Sequence, residues 1–500
     1  MDEKVTVDSR SQLFPVGVVT LACSGLVILY GAVFAQNYQN LFAPMNQIGP
    51  IIIFLTCGWA AYEMVNRSTF NIWSPVPWFL VTSAAYFGLG PLAFTYGTRE
   101  TIQYIVQDFP VDEYWLLRTN YLNAVGVAVV CATVGIGSAT LHRRLSTRRV
   151  EANDYTRHIM WVFLVIGGTV KYGFTLPYAL GLLSFVLPGS VQHLAGLTNA
   201  AIILLFILIH RGAKNYYGLL FVVIGSELIS GLMTFSKFEV IMTVLVVILG
   251  RFACRPNLKR LILSGLAFAV FYALVLSPFV LFARVAVSEI GVSDVNDLQD
   301  TVGEYNRVGK DALAILQPEV QSWWTRLNYA PAQAFVMDLY DGGAAGETFA
   351  LLPYIFLPRL FFDDKPLMTS GKDLTLLLTG DDSSGHTGVG VFGEAYWNGG
   401  WSMVVIVCVY VGVLFVVLGQ FSMRMVATNQ VSYMPVILVC ITTGLRPDDW
   451  FVPAFVGSMV EIFVWYMAIF VSLFILKLAP VIVPKQAWKE PQGAGGTIRS

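Results

Sequence analysis

Of the 500 residues in this chain, 56% are hydrophobic and only 13% charged, which is more apolar surface than a soluble domain can bury. A mean hydropathy of +0.65 agrees with this. The net charge of −1 says nothing of partners; what matters is where Lys and Arg lie relative to the apolar runs.

A helix crosses a hydrocarbon core of about 30 Å with roughly 17–25 apolar residues. Such runs fall at 13–34, 48–64, 74–94, 121–141, 159–178, 193–209, 216–234, 238–252, 261–282, 401–419, 433–446 and 453–477. The fold expected is therefore an all-α polytopic membrane protein of about twelve transmembrane helices. A long extracytoplasmic loop, residues 284–400, separates the ninth and tenth spans. The runs at 193–209, 238–252 and 433–446 are short enough to be tilted, broken or re-entrant. The Pro- and Gly-rich stretch 176–190 fits either a loop or a partly inserted hairpin.

Orientation follows from the cations. With the N-terminus inside, the inner segments hold 19 of the 31 Lys and Arg residues and the short outer segments only five. The remaining seven lie in 284–400, and long loops translocate largely regardless of charge. Both termini are expected in the cytoplasm and 284–400 outside. The run Arg143, Arg144, Arg148, Arg149 and Arg157 reads as a topology determinant on anionic lipid. Residues 1–12 carry three acids against two cations, a poor start for a signal peptide, so the first helix is expected to stay uncleaved although Val33-Phe34-Ala35 resembles a cleavage site. Residues 1–482 read as one membrane domain including the loop, and 483–500 as a disordered cytoplasmic tail.

The six cysteines fall in apolar runs or beside a cytoplasmic loop, so no disulfide fixes the outer segment. Neither the scattered histidines nor any Cys spacing suggests a metal, and no phosphate-cradling fingerprint suggests an ATP-driven pump. No cofactor is expected. The outer segment holds 16 acids against seven cations, so an anion bound there must be met by a few positioned cations in a shielded cleft. Its Trp and Tyr residues suit stacking on sugar rings, but also anchoring at a membrane interface.

One stretch is more specific. Pro358-Arg359-Leu360-Phe361-Phe362-Asp363-Asp364-Lys365-Pro366, then Gly371, then Gly393-Glu394-Ala395-Tyr396-Trp397-Asn398-Gly399-Gly400 before the next span resembles the signature loop of the Wzy-type O-antigen and capsule polymerases, the oligosaccharide repeat-unit polymerase family. Ser236-Lys237 between two spans matches a small polar-basic turn common there. A glycine stands where the family's Asn-Phe-Gly has its aromatic.

That resemblance implies transfer of a glycan from a polyprenyl-diphosphate carrier to the end of another lipid-linked repeat unit, at the outer face of a bacterial inner membrane. The chemistry needs a stabilised diphosphate, a positioned acceptor hydroxyl and lateral access for the lipid. Partners implied are the lipid-linked glycan, membrane lipid, and a chain-length regulator and flippase of the same pathway; no nucleic acid is expected.

Candidates for the diphosphate are Arg359 and Lys365, with Arg326 next; the structural alternative is Arg359 holding the loop through Asp363 or Asp364. Glu394 is the candidate base, or else a brace for the following helix. Tyr396, Trp397 and Asn398 are candidate substrate contacts. His386, in Gly385-His386-Thr387-Gly388, is a weaker one. Arg446, with Asp448 and Asp449 between two spans, completes the site or forms a closed ion-pair cluster. Lys171 and Glu227 are ionisable groups beside or within apolar runs and invite a functional reading. Glu239 is expected to pair with Lys237. A flippase or exporter of lipid-linked glycans, and a glycan ligase, are the competing readings.

Overall fold

A computed structural model describes residues 6–7, 9–106, 109, 111–141, 145–146, 156–180, 182–185, 188–234, 236–279, 321–357, 366, 370–379 and 387–482. Those residues form an all-α polytopic membrane protein. The only strand pairing among them is two residues long, Thr6 opposite Ser146 and Val7 opposite Leu145.

The spans are α1 Leu13–Ala35, α2 Gln39–Arg67, α3 Pro75–Tyr96, α4 Glu113–Thr140, α5 Thr156–Ala179, α6 His193–His210, α7 Lys214–Met233, α8 Lys237–Cys254, α9 Leu258–Phe279, α10 Gly390–Ala427, α11 Val431–Leu445 and α12 Val452–Val471. Each of the twelve expected runs has become a helix, but only ten are long and apolar enough to cross a membrane by themselves. The other two are α8, which holds Lys237, Glu239 and Arg251, and α11, which is short. Both coincide with runs expected to be short. Helix starts follow local chemistry: Asp112 Oδ1 accepts from the Trp115 amide at 2.8 Å at the head of α4 and Asn257 Oδ1 from the Arg260 amide at 3.0 Å at the head of α9.

Small residues let backbones approach, as lipid-embedded helices require. A Cβ on Gly444 of α11 would stand 2.2 Å from the Pro75 carbonyl oxygen of α3. Larger rings fill the space between α3 and α10, where Phe79 meets Phe415 at 5.3 Å and Phe87 meets Phe392 at 5.1 Å. Polar side chains then tie the long loop to this body. Gln333, in the loop helix Ala330–Asp341, exchanges two amide hydrogen bonds of 3.1 Å with Asn123 of α4, and both are fully buried. Buried amides satisfied this way fix one docking register, because any shift strands four polar groups.

The ends of the spans that share the side of the loop are called the loop face below.

Candidate functional site

Three segments converge at the loop face: the head of α10, the loop helix Ala330–Asp341, and the turn 446–451 that joins α11 to α12. At 38 residues, α10 would be about 57 Å long if it ran straight, nearly twice a hydrocarbon core. It breaks at Gly399–Gly400, where Gly400 adopts φ +62° and a Cβ would stand 2.9 Å from the Tyr340 ring. Only glycine fits there without strain. Residues 390–398 are thereby turned into a separate, buried head.

That head carries the second half of the motif. Glu394 is wholly buried. Its Oε1 accepts from Thr348 Oγ1 at 2.6 Å and its Oε2 from the Phe451 amide. Asn398 Nδ2 donates to Thr348 Oγ1 at 2.7 Å, and Asn398 Oδ1 accepts from the Phe349 amide at 3.2 Å. Glu394 and Asn398 thus join α10, the loop at 348–349 and the start of α12. The Trp397 indole donates to the Ala344 carbonyl at 3.0 Å and packs in a cluster with Val336, Leu374, Val389 and Trp450. Tyr396 donates to Asp341 Oδ1 at 2.9 Å and accepts from Arg118 Nη2 at 3.0 Å, while Arg118 Nη1 lies 2.5 Å from Asp341 Oδ2. Each of these four motif residues is engaged in holding neighbouring segments together.

The turn 446–451 presents different chemistry on its other side. Val391 donates to the Pro447 carbonyl at 3.0 Å, and Tyr329 to Asp448 Oδ2 at 2.9 Å, fixing the turn to the head and the loop. Burial first, then the neighbouring Asp449 carboxylate, pushes the Asp448 acid up to about 6. Arg446 pairs through Nε and Nη2 with Asp449 Oδ2 and lies 5.6 Å from the Phe238 ring. A guanidinium has five N–H groups, so the pairing with Asp449 occupies only part of its donor fork.

Arg446 also lines a cavity of about 250 Å³ enclosed by α5, α6, α7, α8, α11 and α12. Its ionisable walls are Lys171, His193, Glu227, Glu239, Arg446 and Glu461. Lys171 Nζ sits 2.8 Å from Glu227 Oε2 and 3.0 Å from Glu239 Oε2. The Tyr172 hydroxyl donates to Glu227 Oε1 at 2.7 Å and lies 2.9 Å from Ser226 Oγ. The Glu239 carboxylate is therefore held by Lys171; the side chain of Lys237, its expected partner, lies outside the described residues. Trp465 Nε1 donates to Glu461 Oε1 at 3.3 Å, with His193 Nδ1 4.0 Å from the same oxygen.

Lys171 and Glu227 expose only 9% and 1% of their side chains, while Glu239 exposes 33% and His193 39%. The cluster is thus deep at one end and open at the other. Taking charges out of water costs several kcal/mol per ion, repaid only by close pairing and further hydrogen bonds. Ionisable groups kept inside a membrane domain at that cost mark a functional site by default. The helix widens by one residue at Lys171–Thr175 and again at Val452–Val456, beside the turn; such π-turns are frequent at functional sites.

Of the residues singled out from sequence, Arg359, Lys365 and His386 lie outside the described residues. Arg326 follows the short helix Ser322–Thr325, whose Trp324 indole is anchored on the Leu89 carbonyl at 2.8 Å. Arg446 lines the cavity and Asp449 is paired with it, while Glu394, Tyr396, Trp397 and Asn398 brace the neighbouring segments. Sequence reading passed over Arg118, Asp341, Gln333 and Thr348, which lie far apart in the chain and form no motif. It also passed over His193 and Glu461 as cavity partners; their signal, an ionisable residue at or inside a span, was the same one that drew attention to Lys171. Among the described residues no group of three or more His, Cys, Asp or Glu is placed to hold a metal ion.

No protein-family model, curated protein or solved structure matches this chain.

Proposed function

We propose that the chain is a membrane-embedded glycosyltransferase that polymerises polyprenyl-diphosphate-linked oligosaccharide repeat units, with the loop face as the outer face of a bacterial inner membrane and both termini cytoplasmic. Two lines support the reading: the loop motif, and the bias of 19 cations against five toward the opposite side. The single observation that carries it is the loop-face cavity. Three carboxylates, two cations and an indole around 250 Å³ suit a saccharide, whose hydroxyls donate to carboxylates and whose C–H faces stack on aromatics. The volume is below the roughly 300–1,000 Å³ of sites that engulf a drug-sized ligand, so one or two sugar units fit, with the lipid tail lying along the helices.

In the reaction the acceptor hydroxyl oxygen bonds to the donor's anomeric carbon as the bond from that carbon to the diphosphate oxygen breaks. The hydroxyl proton passes to a carboxylate, and the carrier leaves as polyprenyl diphosphate. Glu239 and Glu461 are the partly exposed acids on the cavity wall, and the base is assigned to one of them. Arg359 and Lys365 of the motif are assigned to the departing diphosphate, and Arg446 is assigned the same role. Glu394 acts through the turn it holds.

One observation favours a second reading. The buried Lys171–Glu227 pair lies within the spans, where an exporter of lipid-linked glycans keeps its coupling groups. Reconstituted vesicles separate the two: a polymerase lengthens the glycan without moving it, whereas an exporter moves single units without lengthening them. In cells, Arg359→Ala is expected to leave single repeat units on the carrier while the protein still inserts. A normal chain-length ladder from that variant overturns the assignment.

A further inference from the structure

On the face opposite the loop, α8 and α9 are joined by a short turn around Asn257. Between α2, α3, α8 and α9 lies a cavity of about 690 Å³ whose walls are almost wholly apolar, among them Tyr62, Trp78, Ile241, Ile248, Leu261 and Phe268. Its size falls within the roughly 300–1,000 Å³ of ordinary ligand sites. Gly58 and Gly265 also line it, and a Cβ at either would project into open space. A glycine inside a helix costs about 1 kcal/mol relative to alanine, so two such positions keep the groove open at some expense. Ile248 and Leu261 are shared with a second, smaller cavity of about 190 Å³, lined by Arg251, Arg255 and Arg260. All three arginines are exposed, and among the described residues none is paired with an acid. An apolar slot for a chain is therefore continuous with a trio of guanidiniums for an anion.

We propose that this composite cavity binds one anionic phospholipid, its acyl chain in the groove between α2, α3, α8 and α9 and its phosphate on Arg251, Arg255 and Arg260. The site is independent of the loop-face cavity and of the reaction assigned to it. Guanidiniums match phosphate oxygens in paired hydrogen bonds, and basic residues at a membrane surface attract anionic headgroups. The apolar groove alone would accept any lipid; the arginines select the charged one.

The test uses the full-length protein, stripped in detergent and then supplied with phosphatidylglycerol, phosphatidylcholine or inorganic phosphate. Melting midpoint and retained lipid, read by native mass spectrometry, are followed together. Phosphatidylglycerol is expected to raise the midpoint and to remain bound in about one copy, while phosphatidylcholine and phosphate do neither. Arg255→Gln is expected to weaken retention roughly fivefold. Gly265→Phe, which leaves every cation in place and fills the groove, is expected to abolish it. Equal retention of the two lipids, a midpoint shift from phosphate alone, or undiminished retention by Gly265→Phe overturns the proposal.

Discussion

Two buried acids of this protein, Glu394 and Glu227, meet opposite surroundings. Glu394 takes its hydrogen bonds from neutral donors, the Thr348 hydroxyl and the Phe451 amide, and joins three segments that are distant in sequence. Glu227 is paired with Lys171 and lines a cavity. The first arrangement uses a carboxylate as a multivalent acceptor. The second keeps opposite charges close to a space another molecule can enter. A buried charge is costly in either place, so it is the cation and the cavity, not burial alone, that separate a candidate site from a brace. In the proposed function the motif head of α10 is therefore assigned a supporting part, and the charged wall contributed by α5, α7, α8 and α12 is assigned the ligand.

Breaking the charged pair is expected to have the largest effect. Glu227→Ala leaves Lys171 short of its closest partner, and removing one member of a buried pair costs about 3–5 kcal/mol. Melting of the purified variant should fall sharply, and the double variant Lys171→Met with Glu227→Met should recover most of the loss. If Glu227→Ala melts like the parent, the pair is not buried as described. Disturbing the brace is milder. Glu394→Gln places an amide where two donors converge, leaving one unmet at a cost of about 1–3 kcal/mol. Its signature is lowered stability with glycan lengthening retained in whatever protein remains folded; loss of lengthening at unchanged stability would move Glu394 into the reacting set.

The smallest effect concerns pH. Asp448 holds its proton up to about 6 in the folded chain, above the ordinary aspartate range of about 4. The folded state therefore binds this proton more tightly than the unfolded state. Stability from this group is greatest below pH ~4 and falls as pH rises through about 6, by at most about 2 kcal/mol because the side chain keeps partial exposure. Asp448→Asn retains an acceptor for Tyr329 and should flatten the melting midpoint between pH 4 and 6. An unchanged slope in that variant assigns the pH response to another group.

Much of the fold was legible because a membrane imposes a length on every apolar run. Even the short runs at 238–252 and 433–446 became α8 and α11. The head of α10 was partly legible: Gly399-Gly400 marked the place where span and loop separate. The cavity was less so. Lys171 and Glu227 stood out as ionisable residues beside or within apolar runs, but nothing in linear order brings them to Glu461 or Arg446. That meeting depends on how α5, α7, α8 and α12 pack, which is set by side-chain shape and not by periodicity. The contact between Lys171 and Glu239 was not legible for the same reason: the two are 68 residues apart in sequence and meet only in space.

Binding of a lipid-linked repeat unit to the purified protein tests the role of the loop-face cavity most directly, comparing the parent with Arg446→Gln and Glu461→Gln and recording the melting midpoint of each. Both residues are partly exposed at the cavity. Each is expected to weaken binding about tenfold or more, the loss of one charge-assisted hydrogen bond, at an unchanged midpoint. Parent-like affinity in both variants would contradict the assignment of this cavity as the saccharide site.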